Sequence, residues 1–402
     1  MIDSAPYVLK TVDFRFRGAD LRLDLSHALF SSNDVDSGSR LLLKAVSKAA
    51  DPSAVASAID IGSGTGVLGL ALAAGYPGCS VSFRDRDALA CAFTERNARR
   101  NRVKPAAVEH ALFLDGLAGR EFDLVLSNVP AKAGPPVLDA FLRRLPRLVS
   151  GRGLGAVVVV NTIAAEARVS LEAGLAPAGA RPELAERGAG HSVFLFRRAG
   201  LPALDAEADS LAVYRRGAPD GRTGYRHAGY WGLPEFDTPS FATELAMELC
   251  ESGMAGINLR KALVANPGSG RLPAYLRARS GTVVDLRGRD ALALAASAAN
   301  LALNGGRNAC QPPCSLSAAW PGDSPASAYD LVAEFADITP RVDTTDDTWA
   351  EAARTLKAGG SYVAVMTSTD FDRFARRKPA GFTRLRDKKK KGWTAGLWRR
   401  DA

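Results

Sequence analysis

The sequence predicts an α/β protein with two similar halves, each built on a mostly parallel β-sheet. Strand-like runs alternate with helical patterns throughout the chain, and this alternation is typical of right-handed βαβ units. Three segments also recur in the same order at nearly one offset, which indicates a tandem duplication. The 402 residues, 47% of them hydrophobic, supply enough apolar material for two cores.

The first half shows the alternation most clearly. Short runs rich in β-branched and aromatic residues predict strands at 81–83, 122–127, 155–160 and 192–197. Apolar residues at helical spacing predict helices at 37–49, 67–74, 88–100 and 137–148. Strands joined by helices of this length imply a parallel sheet that is covered on both faces.

The duplication is visible in three matched segments. Gly62-Ser63-Gly64 recurs as Gly268-Ser269-Gly270, Arg86-Asp87-Ala88 as Arg289-Asp290-Ala291, and Phe122-Asp123-Leu124-Val125 as Tyr329-Asp330-Leu331-Val332. Gly and Pro interrupt the pattern between the halves, near residues 197–202. We therefore predict one domain over residues 1–200 and a second over residues 201–402.

The basic excess is confined to one segment. The chain carries a net charge of +9, but residues 371–400 hold twelve basic and two acidic side chains, which is +10 for that segment alone. Four consecutive lysines, Lys388, Lys389, Lys390 and Lys391, form its centre.

Membrane and metal classes are not favoured. No run of 18 apolar residues appears, and the first residues lack the basic and apolar regions of a signal peptide, so we expect a cytoplasmic protein without membrane contact. Cys310 and Cys314 flank a short Gln-Pro-Pro segment, but no second ligand pair accompanies them. We therefore expect no metal.

A strand, a glycine loop and a helix start follow one another at residues 58–69. Gly62, Gly64 and Gly66 let backbone N–H groups approach a ligand, whereas neither the dinucleotide pattern Gly-x-Gly-x-x-Gly nor a P-loop is present. Asp60, at the end of the first strand, suits an ammonium group, and Asp85, at the end of the second, suits ribose hydroxyls. The alternative is a tight turn that binds nothing.

Asp60-Ile61-Gly62-Ser63-Gly64-Thr65-Gly66 resembles motif I of the class I S-adenosylmethionine-dependent methyltransferases. Residues 30–43 are similar to the segment that precedes motif I in the small methyltransferase family, and Ser127-Asn128-Val129-Pro130 resembles its Asn-Pro-Pro motif. That family includes bacterial ribosomal RNA guanine-N2 methyltransferases, which are tandem duplications with one degenerate half. The resemblance covers residues 30–198 well and the second half weakly. It implies two tandem Rossmann-like class I methyltransferase domains, the second degenerate.

The resemblance also assigns roles to individual residues. It places the methionine end of S-adenosylmethionine on Asp60, Gly62, Gly64 and Gly66, the ribose on Asp85, and a covering segment on Phe30, Asp36 and Gly38. Asn128 and the carbonyl of Val129, with Pro130 completing the motif, accept hydrogen bonds from a target amine. Two such acceptors point the amine lone pair at the methyl group, so the reaction depends on positioning rather than on a strong base.

Two departures concern the substrate. Val129 stands where the family has its first proline, and Ala131 stands where many base-modifying members have an aromatic ring. Ribosomal RNA guanine N2 is the favoured target. The alternatives are a protein side-chain amide, a small-molecule amine, or a low-turnover module that binds cofactor and RNA. We expect a monomer.

The second half lacks the methyltransferase determinants. In the sequence alignment, Asn266 stands opposite Asp60, Arg271 and Leu272 opposite Thr65 and Gly66, Gly288 opposite Asp85, and Glu334-Phe335-Ala336-Asp337 opposite residues 127–130. The four lysines are predicted at the turn of this half's final hairpin. We predict that they bind RNA phosphates; the alternative is a solvated turn without a partner.

Overall fold

In the computed structural model, the chain forms two compact units, residues 3–214 and residues 215–402. The structure describes residues 3–402 except 31, 206–209, 222–223, 255–257, 306–315 and 318–323. Within the described residues, no helix combines the length and hydrophobicity needed to cross a membrane.

The first unit alternates strands and helices as predicted. Its strands are β1 (Lys10–Phe16), β2 (Ala19–Leu25), β3 (Ser57–Ile61), β4 (Ser80–Asp85), β5 (Ala107–His110), β6 (Phe122–Asn128), β7 (Val149–Val160), β8 (Glu183–Arg187) and β9 (His191–Phe196). Its helices are α1 (Ser37–Ala49), α2 (Val67–Gly75), α3 (Ala88–Arg100), α4 (Pro135–Arg144), α5 (Ala164–Leu175) and α6 (Ser210–Tyr214).

Seven of these strands form one sheet in the order β5-β4-β3-β6-β7-β9-β8. The pairs from β5 to β7 are parallel, and β9 runs antiparallel to both β7 and β8. The carboxyl ends of β3, β4 and β6 therefore meet at one edge, which is where an open α/β sheet binds its ligand. The β1–β2 hairpin lies outside this sheet.

Helix ends follow local sequence signals. Asp36 and Asp87 accept backbone N–H groups at the starts of α1 and α3, and both helices span the predicted residues. The helix predicted over 137–148 instead ends at Arg144, because Pro146 cannot continue α-helical hydrogen bonding, and the chain tightens into a 3₁₀ turn over Leu145–Leu148.

Residues just beyond the predicted domain boundary at residue 200 pack into the first unit. Leu201, Leu204 and Tyr214 are buried, and the Tyr214 ring meets the Phe113 ring edge-on, with centroids 6.1 Å apart. Apolar burial thus extends the first unit to Tyr214.

The second unit repeats the same architecture. Its strands are β10 (Arg215–Asp220), β11 (His227–Tyr230), β12 (Lys261–Ala265), β13 (Val283–Arg287), β14 (Leu316–Ser317), β15 (Tyr329–Phe335), β16 (Leu356–Thr367), β17 (Phe382–Lys390) and β18 (Trp393–Arg400). Its helices are α7 (Phe241–Met254), α8 (Arg271–Ser280), α9 (Ala291–Ala302), α10 (Thr345–Thr355) and α11 (Ser368–Arg376). The main sheet has the order β14-β13-β12-β15-β16-β18-β17, which matches the first unit strand for strand.

Hydrogen bonds correct the alignment of the two glycine loops. The N–H of Gly62 donates to Arg84 O at 2.8 Å, and the N–H of Asn266 donates to Arg287 O at 2.7 Å. Asn266 therefore corresponds to Gly62. The predicted match of Asn266 with Asp60 was wrong by two residues, because Gly-Ser-Gly in the second half fits Gly64-Thr65-Gly66 as well as Gly62-Ser63-Gly64.

The corrected alignment has further consequences. Gly270 corresponds to Gly66, since both precede a helix with φ of +86° and +85°, a left-handed conformation that favours glycine. Val264, two residues before Asn266, takes the place of Asp60. Arg271, the first residue of α8, corresponds to Val67 rather than to Thr65.

Candidate active site

The glycine loop of the first unit exposes its backbone. Gly62, Gly64 and Gly66 have φ of +78°, +55° and +85°, and the loop closes through a 2.8 Å bond from Gly66 N–H to Ser63 O. A Cβ added at Gly64 would meet no atom within 4 Å. The loop therefore leaves room for a ligand at the N-terminus of α2, where backbone N–H groups favour negative charge.

Asp60 supplies a buried acceptor beneath this loop. Its side chain is completely buried, and Oδ2 accepts the N–H of Gly69 at 2.8 Å. Oδ1 has no hydrogen-bond partner among the described residues. Burial, reinforced by the charge of Asp85, raises the pKa of Asp60 to about 7. An ammonium group would satisfy the unpartnered oxygen and the charge together, so this residue fits the methionine end of S-adenosylmethionine.

Asp85 is held against the same loop. Its Oδ2 accepts the N–H of Gly64 at 2.9 Å, and its Oδ1 accepts the N–H of Asp87 at 2.9 Å. Each carboxylate oxygen can accept more than one hydrogen bond. The fixed carboxylate is therefore suited to a pair of ribose hydroxyls, as predicted from its position at the end of β4.

Asn128 lies at the end of β6, beside the glycine loop. Its backbone carbonyl is 4.0 Å from a Cβ built on Gly62. Its Nδ2 is 3.3 Å from both carboxylate oxygens of Asp36 and 3.2 Å from Ser39 Oγ. The amide nitrogen is thus engaged by α1, and no donor among the described residues reaches the amide oxygen, Oδ1.

Val129 replaces the family proline without loosening the strand end. Its N–H donates to Val158 O at 2.9 Å, a bond that proline could not make, and its side chain is buried. Hydrogen bonding here provides the rigidity that a proline ring would otherwise provide. Pro130 then begins a 3₁₀ turn over Ala131–Ala133, in which Ala131 is exposed.

Gly38 lets α1 approach the last hairpin closely. A Cβ at this position would lie 2.8 Å from His191 Cδ2 and 2.9 Å from Asp36 Oδ1. His191 also contacts Ser37 Oγ through Nδ1 at 3.3 Å. The sequence gives no signal for His191, since only the pairing of β9 with β7 brings it to the rim of the site. The Phe30 side chain is 72% exposed, and its predicted role in covering the cofactor stays a prediction.

The second unit does not fit the cofactor. Val264, Gly288 and Phe335 stand where the first unit has Asp60, Asp85 and Asn128. The Asn266 amide donates to Phe335 O at 2.9 Å, and the Arg271 guanidinium, itself buried, donates to the Glu235 and Phe236 carbonyls. The Asn266 and Arg271 side chains beside this loop therefore form hydrogen bonds within the second unit.

The hairpin lysines lie mainly in a strand. Lys388, Lys389 and Lys390 belong to β17, and the turn is Lys391-Gly392, with φ of +48° and +84°. The run therefore reaches the turn of the final hairpin, as predicted, although strand pairing with β18 continues to Lys390 and only Lys391 lies in the turn itself.

Two of the lysines pair with acidic residues of α7. Lys388 bonds to Glu248, and Lys390 lies 2.6 Å from Glu244. Lys389 and Lys391 are exposed and make no ion pair with the described residues. Part of the positive charge of this segment is therefore already paired with α7, so fewer of its side chains are available to bind RNA phosphates than its net charge suggests.

The first unit contains the same contact with reversed charges. Lys44 and Lys48 of α1 reach Glu186 on β8 at 3.1 and 2.6 Å. In both units, a helix–hairpin ion pair fixes the first long helix to the last hairpin. Lys388 and Lys390 thus have a structural function, and their predicted contact with RNA stays a prediction.

Among the described residues, no group of three His, Cys, Asp or Glu side chains could hold a metal ion. Cys310 and Cys314 lie outside the described residues.

The comparisons with known proteins point to one family. The model of the methyltransferase small domain matches residues 20–173. The ribosomal RNA small subunit methyltransferase C of Pasteurella multocida is 31% identical over 133 residues, which are 33% of this chain and 38% of that protein. The release factor glutamine methyltransferase of Salmonella typhimurium is 35% identical over 82 residues, 20% of this chain and 27% of its own length. The chain thus spans less than half of these two relatives.

One solved structure resembles the chain over its full length. The T. thermophilus 16S rRNA N2 methyltransferase, in complex with AdoMet and guanosine, superposes with a TM-score of 0.65 and 18% identity, covering 98% of both chains. This likeness confirms the predicted fold of two tandem Rossmann-like domains. The family match confirms S-adenosylmethionine as the predicted cofactor. The contacts of Asp60 and Asp85 fit that ligand, and their predicted roles in holding it stay predictions. Residues 20–173, within the first unit, therefore match the small-domain family of S-adenosylmethionine-dependent methyltransferases, and the second unit repeats the fold of the first.

Proposed function

We propose that this protein methylates an exocyclic amine of RNA, with guanine N2 of ribosomal RNA as the target. The observation that carries the proposal is the orientation of Asn128. Its amide nitrogen is held by Asp36 and Ser39, so the amide oxygen is left as an acceptor beside the glycine loop. An amine, which donates hydrogen bonds, complements that oxygen, whereas a carboxylate, which only accepts them, does not.

A second acceptor lies next to it. No donor among the described residues reaches the carbonyl of Val129, and the N–H of the same residue is fixed to β7. Two fixed acceptors can hold both hydrogens of an –NH₂ group and turn its lone pair away from the ring system to which it is conjugated. S-adenosylmethionine supplies the electrophilic methyl group when bound.

The role of the chain's residues is therefore positional. Asn128 and Val129 align the amine at the end of β6, while Asp60 on β3 and Asp85 on β4 hold the methionine and the ribose of the cofactor at the same edge of the sheet. Alignment of this kind can contribute several powers of ten to a bimolecular reaction without a general base.

The preference for RNA over protein draws on the relatives. The Pasteurella multocida relative is named as a ribosomal RNA methyltransferase, and the match to it extends over more of the chain than the match to the release factor glutamine methyltransferase. A glutamine side-chain amide remains the second candidate, since exposed Ala131 offers no ring on which a base could stack.

The nucleosides of cellular RNA test the proposal. Ribosomal RNA from a strain lacking the gene should lose one N2-methylguanosine, and the full chain with S-adenosylmethionine should restore it in vitro. Asn128→Ala protein is the matched negative control. Unchanged RNA, together with loss of methyl transfer to a release-factor glutamine, would replace this proposal with the second candidate.

A further inference from the structure

We propose that Asp36 is a positioning residue for the reaction: its carboxylate selects the rotamer of the Asn128 amide that presents oxygen to the target amine. The inference rests on the proposed function for its catalytic consequence, but not for the contact itself. The two residues are 92 positions apart: Asp36 caps α1 and Asn128 ends β6.

The electrostatics permit only one orientation of the amide. Nδ2 faces three oxygen atoms: both carboxylate oxygens of Asp36 at 3.3 Å and Ser39 Oγ at 3.2 Å. The Ser39 hydroxyl already donates to Asp36 Oδ2 at 2.5 Å, so only its lone pairs face the amide. Rotating the amide by half a turn would place Oδ1 against these oxygens, and the charge on Asp36 makes that arrangement strongly unfavourable.

Helix capping does not account for a carboxylate at this position. Ser240 caps α7 in the second unit, where its Oγ accepts the N–H of Thr243 at 3.2 Å. The backbone hydrogen bonds show that Asp36 and Ser240 hold the same position at the start of their helices. Arg40 N–H donates to Asp36 O at 3.1 Å, and Glu244 N–H donates to Ser240 O at 2.9 Å.

A hydroxyl is therefore sufficient to start this helix. In the first unit, the cap residue is Asp36 and the residue that ends the strand is Asn128. In the second unit, the cap residue is Ser240 and the strand ends with Phe335, which has no amide side chain. The acid thus accompanies the amide that it orients, and not the helix that it caps.

The test uses the variant that the second unit suggests. Asp36→Ser keeps the cap and removes the charged acceptor; it should lower single-turnover methyl transfer by about 10–100-fold, the usual effect of losing a residue that orients a ligand. The melting temperature should stay near its original value, and the rates are compared at saturating cofactor because Asp36 lies in the segment predicted to cover that ligand. Ser240→Asp in the second unit is the matched control and should leave the transfer rate unchanged.

A double-mutant cycle separates positioning from a general structural effect. If Asp36 acts through Asn128, Asp36→Ser should cost nothing further in an Asn128→Ala background. Additive losses would overturn the proposal, as would an Asp36→Ser enzyme within twofold of the original rate.

An NMR measurement keeps the contact testable without activity. The side-chain amide signals of Asn128 can be identified by their absence from Asn128→Ala protein. Asp36→Ser should shift both signals and accelerate their exchange with water, whereas Ser240→Asp should not. Unshifted signals would remove the contact. A protein that shows the shift but methylates no guanine would refute the proposed function and leave the orienting contact in place.

Discussion

Ionisation of Asp60 should control cofactor affinity near neutral pH. Burial raises the pKa of this carboxyl to about 7, while in an unfolded chain it is near 3.8. Only the ionised form offers a negative charge to the ammonium group of the ligand. Affinity should therefore increase as pH rises through 7 and become constant above it, and bound ligand should lower the pKa of Asp60.

The size of the effect follows from the pKa. With a pKa of about 7, roughly a tenth of Asp60 is ionised at pH 6 and most of it at pH 8. The dissociation constant should then be about tenfold larger at pH 6, or about 1.4 kcal/mol in binding free energy. Asp60→Asn should bind weakly at both values and lose the pH dependence.

Titration calorimetry with S-adenosylhomocysteine measures the dissociation constant without turnover. Repeating the titration in two buffers of different ionisation enthalpy gives the number of protons released on binding below pH 7.

Glu334→Gln is the matched control. Burial also raises the pKa of Glu334 to about 7, but its partner is the Tyr362 hydroxyl, 2.8 Å away in the second unit. That substitution should leave cofactor affinity unchanged at every pH. Equal dissociation constants at pH 6 and pH 8 for the unmodified protein would refute the reasoning.

Four further predictions concern binding, catalysis and stability. Calorimetry should find one cofactor per chain, and a stoichiometry of two would show that the second unit binds as well. Asn128→Ala should reduce methyl transfer by about 10²–10³ with nearly normal cofactor affinity; a rate within a few-fold of the original would remove this residue from the mechanism. Replacing Lys389 and Lys391 with Ala should lower the salt-dependence slope of RNA binding by about 1.4. Replacing Lys388 and Lys390, which pair with α7, should instead lower the melting temperature, and the opposite pattern would contradict the pairing.

Much of the first unit was predictable because its signals are local. A glycine loop between a strand and a helix, acidic N-caps at Asp36 and Asp87, and an acid at the end of each of two strands are all encoded within a few residues. The mostly parallel sheet also follows, since strands joined by helices form right-handed crossovers. These features placed Asp60 and Asp85 at the ends of two strands before any contact was known.

Contacts between distant residues could not be predicted in this way. The bond between Asp36 and Asn128 needs α1 to cross the end of β6, and the pairing of Lys388 with Glu248 joins residues 140 positions apart. Each of these residues has a plausible local explanation, as a cap or as a solvated charge, so the sequence alone gives no reason to look further. The error in the repeat alignment arose similarly, because only the bonds from Gly62 and Asn266 fix the register.

The two units show which parts of the fold are separable from catalysis. Both keep the strand order, the helix cap and the ion pair between the first long helix and the last hairpin. In the first unit, the buried acid Asp60 has an oxygen without a partner among the described residues, and burial of a charge without a partner destabilises a folded protein. Val264 avoids that cost in the second unit. The second unit therefore does not carry this cost, and no catalytic role is needed to explain why it stays folded.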